Sequence, residues 1–230
     1  MNGPVFSDRV AGVALGGAVG DALGAGYEFQ DRPGPDIDVI GGGPFGVAPG
    51  EWTDDTAMAN AILRVVATGV LDLEQVGAGF LEWFAGGPKD VGNQTRSVLG
   101  RASGPGELTA AAAQHFARNP RGSAGNGSLM RTGPVALAHL GDDAALAASA
   151  RAVSDLTHAD PLAGDACVLW CVAIDRAVRE QRLDGAWDGL ALLDAEARQR
   201  WKPLLDAATT EAPASFSANG FVVTALQAAL

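Results

Sequence analysis

The stretch that decides the fold is Asp160-Pro161-Leu162-Ala163-Gly164-Asp165-Ala166-Cys167-Val168-Leu169-Trp170-Cys171-Val172-Ala173-Ile174. It opens with an aspartate, which can cap a helix, and a proline, which is favoured in a first turn. Residues 166–174 are apolar on all sides, so the predicted helix should lie in the centre of the molecule. Its cysteines lie four apart on one helical face, which does not suit a structural disulfide, and two thiols are too few for a zinc cage. We predict buried, reduced thiols at Cys167 and Cys171.

Helical patterns flank this segment on both sides, and their start signals are capping residues and apolar spacing. The first predicted helix runs from Ser7-Asp8 to about Leu23, and the second begins at Thr53 and ends by Gly69. The third begins at Asp72, with a Gln75 capping box, and runs through Phe84. Further helices are predicted over residues 109–118, from Asp142-Asp143 to about Leu156, and over residues 221–230. Glycine- and proline-rich links lie at residues 31–51, 86–92, 100–106 and 119–128. We see no repeat or domain boundary, and predict one compact, all-α, multi-helix domain over residues 1–230.

The composition limits the possible partners. The chain carries a formal net charge of −11, with an isoelectric point of about 4.6. An acidic surface argues against nucleic-acid or anionic-membrane binding, because both need clustered Lys and Arg. No signal peptide is visible, so we expect a cytoplasmic protein. Residues 10–20 are uncharged but too short to span a bilayer, and we predict a buried helix there whose glycines allow close packing. The oligomeric state stays open.

The last residues, 221–230, predict an apolar helix without a glycine cap, a basic last turn or a polar exit. Natural ends are usually more polar than this. We therefore expect the domain to be incomplete at its C-terminal end.

The segment Thr53-Asp54-Asp55-Thr56 has two interpretations. Thr53 can cap a helix whose macrodipole the two acids favour. Alternatively, the segment binds metal: Asp54 lies four residues before Met58 and Asp55 three, so both carboxylates project over the inward face. Adjacent buried carboxylates repel each other unless a cation joins them, and Mg²⁺ or Mn²⁺ would be the natural partner. Thr53, Asp54 and Asp55 are therefore candidate metal ligands.

Other segments give weaker signals. Glu28 follows a helix end, where a loop could bring it to the same site, although a single Glu there is usually solvated. Gly41-Gly42-Gly43-Pro44-Phe45-Gly46 matches a dinucleotide fingerprint, but its proline removes an N–H and no helix opens directly after it, so we reject that interpretation.

Residues 121–131 place small residues before a helical turn, which suits an anion cradle or a flexible loop. His158 precedes a capped helix and could equally be a hydrogen-bonding loop residue.

Together and in their order, these motifs strongly resemble those of the ADP-ribosylglycohydrolase family. The motifs are Gly20-Asp21-Ala22-Leu23-Gly24 with Glu28, Trp52-Thr53-Asp54-Asp55-Thr56, Asp90-Val91-Gly92-Asn93, Gly125-Asn126-Gly127-Ser128-Leu129-Met130-Arg131 and Thr157-His158-Ala159-Asp160-Pro161. The resemblance runs from about residue 8 to residue 175. It implies an all-α fold with two Mg²⁺ or Mn²⁺ ions in a central cleft.

The resemblance also implies roles for individual residues. By that match Thr53, Asp54 and Asp55 are metal ligands, and Glu28 lies on a loop that closes over the ions. Asp90 lies on a loop at the distal ribose, where some members use the aspartate as a general acid. The implied catalytic residues are Asp55, Asp90 and Glu28. The implied substrate-binding residues are Gly92, Gly122, Ser123, Ala124, Asn126, Gly127 and His158.

The implied reaction is hydrolysis of the C1″ glycosidic bond of an ADP-ribosylated acceptor, foremost a protein arginine. Asp55 would hold or deprotonate the water and Asp90 would protonate the leaving group. Family members carry a second acidic motif, Asp-x-Asp-Thr, near the C-terminus, and nothing after Thr157 matches it. Either later residues are missing from this chain, as we expect, or half a metal site is present. The alternatives are a non-catalytic ADP-ribose-binding module and a hydrolase of another small ribosyl compound.

Overall fold

The computed structural model describes residues 3–29 and 36–230, and these residues form α-helices joined by loops, with no strand among them. The helices are α1 (Pro4–Gly24), α2 (Asp54–Val66), α3 (Leu73–Ala85), α4 (Asn93–Leu99), α5 (Leu108–Arg118), α6 (Gly133–Ala138), α7 (Asp143–Asp155), α8 (Pro161–Glu180), α9 (Gly185–Gly189), α10 (Ala195–Thr210) and α11 (Val222–Ala229). The all-α prediction is confirmed.

Helix α8 is the central element, as its apolar sequence predicts. Asp160 caps it by accepting a hydrogen bond from the Leu162 N–H (3.0 Å). The helix packs against α1, α6, α7, α9 and α11. Its apolar residues, such as Leu169, are fully buried, and each buried side chain of this size contributes about 1.5–3 kcal/mol. Cys167 and Cys171 are buried free thiols, as predicted.

The capping signals place two further helices correctly. Asp72 accepts hydrogen bonds from the N–H groups of Glu74 and Gln75 at the start of α3. Asp142 accepts from the Ala145 N–H at the start of α7. Helix α11 covers most of residues 221–230 and packs on α8 and α10. Of the predicted link at residues 31–51, residues 31–35 lie outside the described part of the chain.

Helix α1 differs from its prediction in two ways. It begins at Pro4, so Ser7-Asp8 is not its cap, because proline suits the first turn better. It is also exposed: none of its residues is buried, and Leu15 and Val19 are each 65% exposed. An added Cβ at Gly12 or the other α1 glycines would meet no atom within 4 Å. The burial prediction is therefore wrong, because no described element covers the outer face.

Segment Pro4–Tyr27 is the one helix in the described residues that is long and apolar enough, by length and composition alone, to cross a membrane. It carries Asp8, Arg9 and Asp21. Asp21 lines the large cleft at the start of α2, so this end of the helix belongs to the candidate site. The expectation that the chain does not span a membrane stays a prediction.

The rejected glycine motif forms a tight loop. Gly42 and Val47 form an isolated antiparallel bridge, and Gly41, Gly42, Gly43 and Gly46 have positive φ angles that favour glycine. The next helix starts only at Asp54. The loop therefore lacks the strand–turn–helix context of a dinucleotide site.

Candidate active site

Helix α2 begins at the wall of a large cleft, and a carboxylate from another helix holds its first turn. Asp21, in the last turn of α1, accepts hydrogen bonds from the Thr53 hydroxyl (2.7 Å), the Thr53 N–H (2.9 Å) and the Thr56 N–H (3.1 Å). Thr53 occupies the N-cap position but makes no side-chain capping bond of its own. Because its hydroxyl donates to Asp21, the lone pairs of its oxygen remain free to bind a ligand.

Asp54 and Asp55 occupy the first turn of α2. Asp54 is buried, and the Gly92 N–H donates to its Oδ2 (3.4 Å). The charge of Asp54 acts on the carboxyl group of Asp90, which also lines the cleft. Asp55 lines the cleft and also a smaller cavity between α1, α2, α6 and α8. The inward orientation predicted from the helical spacing therefore agrees with the structure.

Burial and mutual repulsion raise the pKa of four carboxyl groups at this end of the cleft. Burial, then the charges of Asp54 and Asp21, raise the pKa of Glu28. Burial also raises the pKa of Asp54, and burial with the neighbouring carboxylates raises that of Asp55 well above its usual value. Burial, then Asp54 and Glu28, raise the pKa of Asp90 to about 7. The cluster therefore favours a bound proton or cation.

The donor chemistry of this cluster fits a hard divalent cation. Carboxylate and hydroxyl oxygens are the ligands that Mg²⁺ and Mn²⁺ prefer. Across residues 3–29 and 36–230, however, no three His, Cys, Asp or Glu side chains converge as a ready-made metal group. Mg²⁺ often keeps several waters and uses only one or two carboxylates. The side chains present thus suit a cation in type and supply a partial set of ligands.

A glycine-rich loop, residues 119–128, also contributes to the cleft lining and is held by hydrogen bonds to the segment that precedes α11. The Asn126 N–H donates to the Gly220 carbonyl (3.1 Å), and the Asn126 side-chain amide donates to the Asn219 carbonyl (2.9 Å). The Val222 N–H donates to the Ala124 carbonyl (3.0 Å). The loop is therefore held in place rather than free, which favours the cradle interpretation over a flexible loop.

The main chain of this loop offers donors to the cleft. Among the residues of this loop that line the cleft, the N–H groups of Gly125 and Gly127 donate to none of the described residues. Neighbouring N–H groups of this kind form an anion-binding concavity. The side chain of Ser123 contributes nothing to it, because the residue is fully buried and its hydroxyl donates to the Asn119 carbonyl (2.7 Å).

His158 lies at the floor of the cleft beneath the same loop. It is 2% exposed, and its Nδ1 lies 2.8 Å from the Thr157 hydroxyl. Burial, then the charge of Arg131, lower the pKa of His158 well below its usual value. The imidazole is therefore neutral at physiological pH and binds any ligand as an uncharged group.

The cleft as a whole has a volume of about 1280 Å³. That exceeds the roughly 300–1,000 Å³ of typical small-molecule pockets and leaves room for a ligand of dinucleotide size. The predicted site residues that line it are Glu28, Thr53, Asp54, Asp55, Asp90, Gly92, Gly122, Asn126, Gly127 and His158. Ser123 and Ala124 do not line it. The role of each residue stays a prediction.

Sequence reasoning missed several residues of the site. Asp21 lies within the motif Gly20-Asp21-Ala22-Leu23-Gly24, but its hydrogen bonds to Thr53 and Thr56 join segments far apart in the chain. Gln94 lines the cleft and donates to the Thr157 carbonyl (3.0 Å). The cleft lining also includes Phe216 and residues 217–221. Only a fold-level argument could have placed these residues, because local spacing carries no signal for them.

Comparison with known proteins decides the family. Residues 2–230 match the ADP-ribosylglycohydrolase family. This chain belongs to that family. A solved structure described as an ADP-ribosylglycohydrolase-related protein complex superposes with a TM-score of 0.74 at 28% identity, covering 98% of this chain and 75% of that chain. The resemblance drawn from the sequence motifs is therefore confirmed.

Two relatives of the ADP-ribosylglycohydrolase family have informative names. The ADP-ribosyl-(dinitrogen reductase) glycohydrolase of Rhodospirillum rubrum is 39% identical over 175 residues, which is 73% of this chain and 57% of that protein. The ADP-ribosylarginine hydrolase of Pseudomonas putida (strain GB-1) is 32% identical over 235 residues, which is 97% of this chain and 60% of that protein. The chain thus spans somewhat over half the length of these relatives.

Members of the ADP-ribosylglycohydrolase family are generally metal-dependent. That property agrees in kind with the carboxylate cluster at the start of α2.

Proposed function

We propose that this chain carries the substrate cleft of a metal-dependent hydrolase that removes ADP-ribose from an ADP-ribosylated acceptor. The bond cleaved would be the C1″ glycosidic bond, and an arginine side chain would be the first acceptor to test. Membership of the ADP-ribosylglycohydrolase family supports the reaction class. The names of the two relatives support an ADP-ribosylated protein or ADP-ribosylarginine as substrate.

The observation that carries this proposal is the polarity of the cleft. The lining includes carboxyl groups with raised pKa, among them Asp54 and Asp55. It also includes the unpaired main-chain N–H groups of Gly125 and Gly127 and the neutral ring of His158. ADP-ribose has a matching polarity, because its distal ribose hydroxyls suit a cation site and its diphosphate suits an anion cradle.

Two divalent cations, Mg²⁺ or Mn²⁺, are the proposed cofactors, and Thr53, Asp54 and Asp55 would hold them. When bound, such ions supply Lewis-acid polarisation and a site for water near the sugar. They would also offset the repulsion within the carboxylate cluster and the net charge of −11, which otherwise opposes an anionic ligand.

The chain's own residues would handle the protons. Water adds to C1″ while the bond from C1″ to the acceptor nitrogen breaks, so one proton must leave the water and one must reach the acceptor. Asp55, with Glu28 nearby, would orient the water and take its proton. Asp90, beside Asp54 at the cleft wall, would donate a proton to the departing nitrogen. The products are ADP-ribose and the free guanidine.

The glycine-rich loop would anchor the diphosphate away from the reacting carbon. Gly122, Asn126 and Gly127 line this part of the cleft. Binding energy gained here would hold the sugar against the carboxylates, so a remote contact would support the chemical step.

A second candidate is a non-catalytic module that binds ADP-ribose. The observation in its favour is that, in the part of the chain that the structure describes, no three acidic, histidine or cysteine side chains converge on a metal position. The cradle and the histidine would still bind ligand in that case.

Calorimetry with ADP-ribose, with and without Mg²⁺ or Mn²⁺, tests the proposal together with release assays on ADP-ribosylarginine. We expect binding that strengthens with the metal and release that requires it. Tight binding without metal-dependent release would favour the binding module. No binding of ADP-ribose under any condition would overturn both candidates.

A further inference from the structure

Arg131 is a buried cation without an anionic partner. It is fully buried, and no carboxylate in the described residues forms an ion pair with it. Its guanidinium carbon lies 4.4 Å from the centre of the Phe80 ring. Burial lowers its pKa to about 10, so it stays protonated near neutral pH. A buried unpaired charge is costly, which indicates that the guanidinium does something that an apolar side chain could not.

The oxygen contact that Arg131 does make is directional. Its Nη2 atom donates to the Thr157 hydroxyl oxygen at 2.6 Å, with a weaker contact to the Val153 carbonyl at 3.4 Å. A guanidinium can only donate hydrogen bonds. The Thr157 oxygen is therefore the acceptor in this pair, and the hydroxyl proton must point elsewhere.

The acceptor available for that proton is His158 Nδ1. Thr157 is fully buried, and its hydroxyl contacts only Arg131 and the Nδ1 atom at 2.8 Å among the described side chains and carbonyls. If Thr157 accepted from both groups, its own buried proton would have no acceptor, so the arrangement that satisfies the hydroxyl has Thr157 donating to Nδ1. Nδ1 then carries no hydrogen. In a neutral imidazole the hydrogen must be on the other nitrogen, Nε2.

Nε2 faces the glycine-rich loop at the floor of the cleft. A Cβ atom added to Gly127 would lie 3.0 Å from Nε2, and one added to Gly125 would lie 3.4 Å from it. Among the described residues, none accepts a hydrogen bond from Nε2. The Nε2–H group is thus a donor without a protein acceptor, beside the loop that offers main-chain donors to the same cleft.

We propose that Arg131 and Thr157 are positioning residues that lock His158 in the Nε2–H tautomer, so that the cleft floor presents a neutral donor to a ligand oxygen. That the oxygen belongs to ADP-ribose rests on the function proposed above, whereas the tautomer does not. Reversal of the tautomer would replace the donor by a lone pair, which repels a phosphate or hydroxyl oxygen acceptor.

Histidine side-chain ¹H–¹⁵N NMR of the ligand-free chain tests the proposal directly, because protonated and bare ring nitrogens resonate far apart. The chain has three histidines, His115, His139 and His158, so the signals can be assigned by substitution. We expect His158 to show a bare Nδ1 and a protonated Nε2. Thr157→Val should abolish this single tautomer, whereas Thr157→Ser, which keeps the hydroxyl, should restore it.

Unchanged His115 and His139 signals would show that each variant is folded. A protonated Nδ1 in the wild-type chain would overturn the proposal, even if Thr157→Val failed to fold. A wild-type tautomer in folded Thr157→Val would overturn it as well.

ADP-ribose calorimetry adds a functional readout. Affinity should fall roughly tenfold in Thr157→Val and stay near that of the wild type in Thr157→Ser. Equal affinity in all three chains would overturn the role of the locked donor. The expected tautomer without any ADP-ribose binding would contradict the proposed function and leave the positioning network standing.

Discussion

Asp21 accepts hydrogen bonds from both the N–H and the hydroxyl of Thr53, so a residue of α1 caps helix α2 from 32 positions earlier in the chain. The contact joins the exposed helix α1 to the carboxylate end of the cleft. It also fixes the direction in which the Thr53 oxygen can bind a ligand.

Asp21→Asn should therefore loosen the start of α2. The amide keeps one acceptor oxygen and loses the charge, and a lost cap typically costs about 0.5–2 kcal/mol. Denaturation followed by circular dichroism measures the change. Asp194→Asn is the matched control, because Asp194 caps α10 through one bond from the Ala197 N–H. The control should leave metal and ADP-ribose binding intact, whereas Asp21→Asn should weaken both. Equal binding by the two variants would contradict the proposed role.

Asp55 should destabilise the metal-free protein at neutral pH. Its pKa is raised well above 3.8 in the folded state, so the folded chain binds this proton more tightly than the unfolded chain does. The charged carboxyl then opposes folding above its raised pKa, and the penalty disappears as the pH falls toward the unfolded value.

Asp55→Asn should accordingly raise the thermal midpoint in EDTA at about pH 8, and the difference should vanish near about pH 4. A gain of about 1 kcal/mol corresponds to about 2–4 °C for a chain of this size. Asp72→Asn is the control, and it should lower the thermal midpoint at the same pH. Hydrogen bonds from Gln75 lower the pKa of Asp72, so its charged form stabilises the folded chain. If Asp55→Asn lowered the midpoint at the higher pH, the repulsion argument would be wrong.

Divalent cations should stabilise the folded chain. A ligand that binds only the folded state raises the midpoint with concentration, and Mg²⁺ or Mn²⁺ should do so by relieving repulsion among Asp54, Asp55 and Asp90. Asp54→Asn should remove most of this shift. Asp8→Asn removes the same charge from an exposed position and should keep it. Equal shifts in the two variants would place the cation elsewhere.

Gly127→Ala should disturb the cleft floor. The added Cβ would lie 2.9 Å from His158 Cε1, which is too close for a buried ring to tolerate without movement. Overpacking of this kind costs about 1–3 kcal/mol, and ADP-ribose affinity should fall with it. Gly106→Ala meets no atom within 4 Å and is the control. A denaturation midpoint and an affinity that match the control would show that the ring has room to move.

The sequence predicted those parts of the fold that depend on local signals. Asp72, Asp142 and Asp160 each cap a helix where the pattern placed one. Helix α10 was not predicted, because it is polar and carries Pro203 in its interior. Helices α4, α6 and α9 are only a turn or two long, so their periodicity is too brief to detect.

The site was predictable in composition rather than in arrangement. The motifs identified the residues at the start of α2 and in the glycine-rich loop, and most of them line one cleft. The sequence spacing does not reveal that the Ser123 side chain points inward, where its hydroxyl donates to the Asn119 carbonyl. Nor does it reveal that Asp21 accepts a hydrogen bond from Thr53, because that contact depends on the tertiary fold. Apolar sequence in α1 indicated burial, but apolarity alone does not say which element covers a helix.

The most direct test of the proposed function is release of ADP-ribose from ADP-ribosylarginine, measured with and without Mg²⁺ or Mn²⁺ in the wild-type chain, Asp54→Asn and Asp8→Asn. We expect metal-dependent release by the wild type and Asp8→Asn, and a loss of at least about a hundredfold in Asp54→Asn. Release that is independent of metal, or equal in Asp54→Asn and the wild type, would contradict the assignment of the Thr53–Asp55 turn as the metal-binding part of the site.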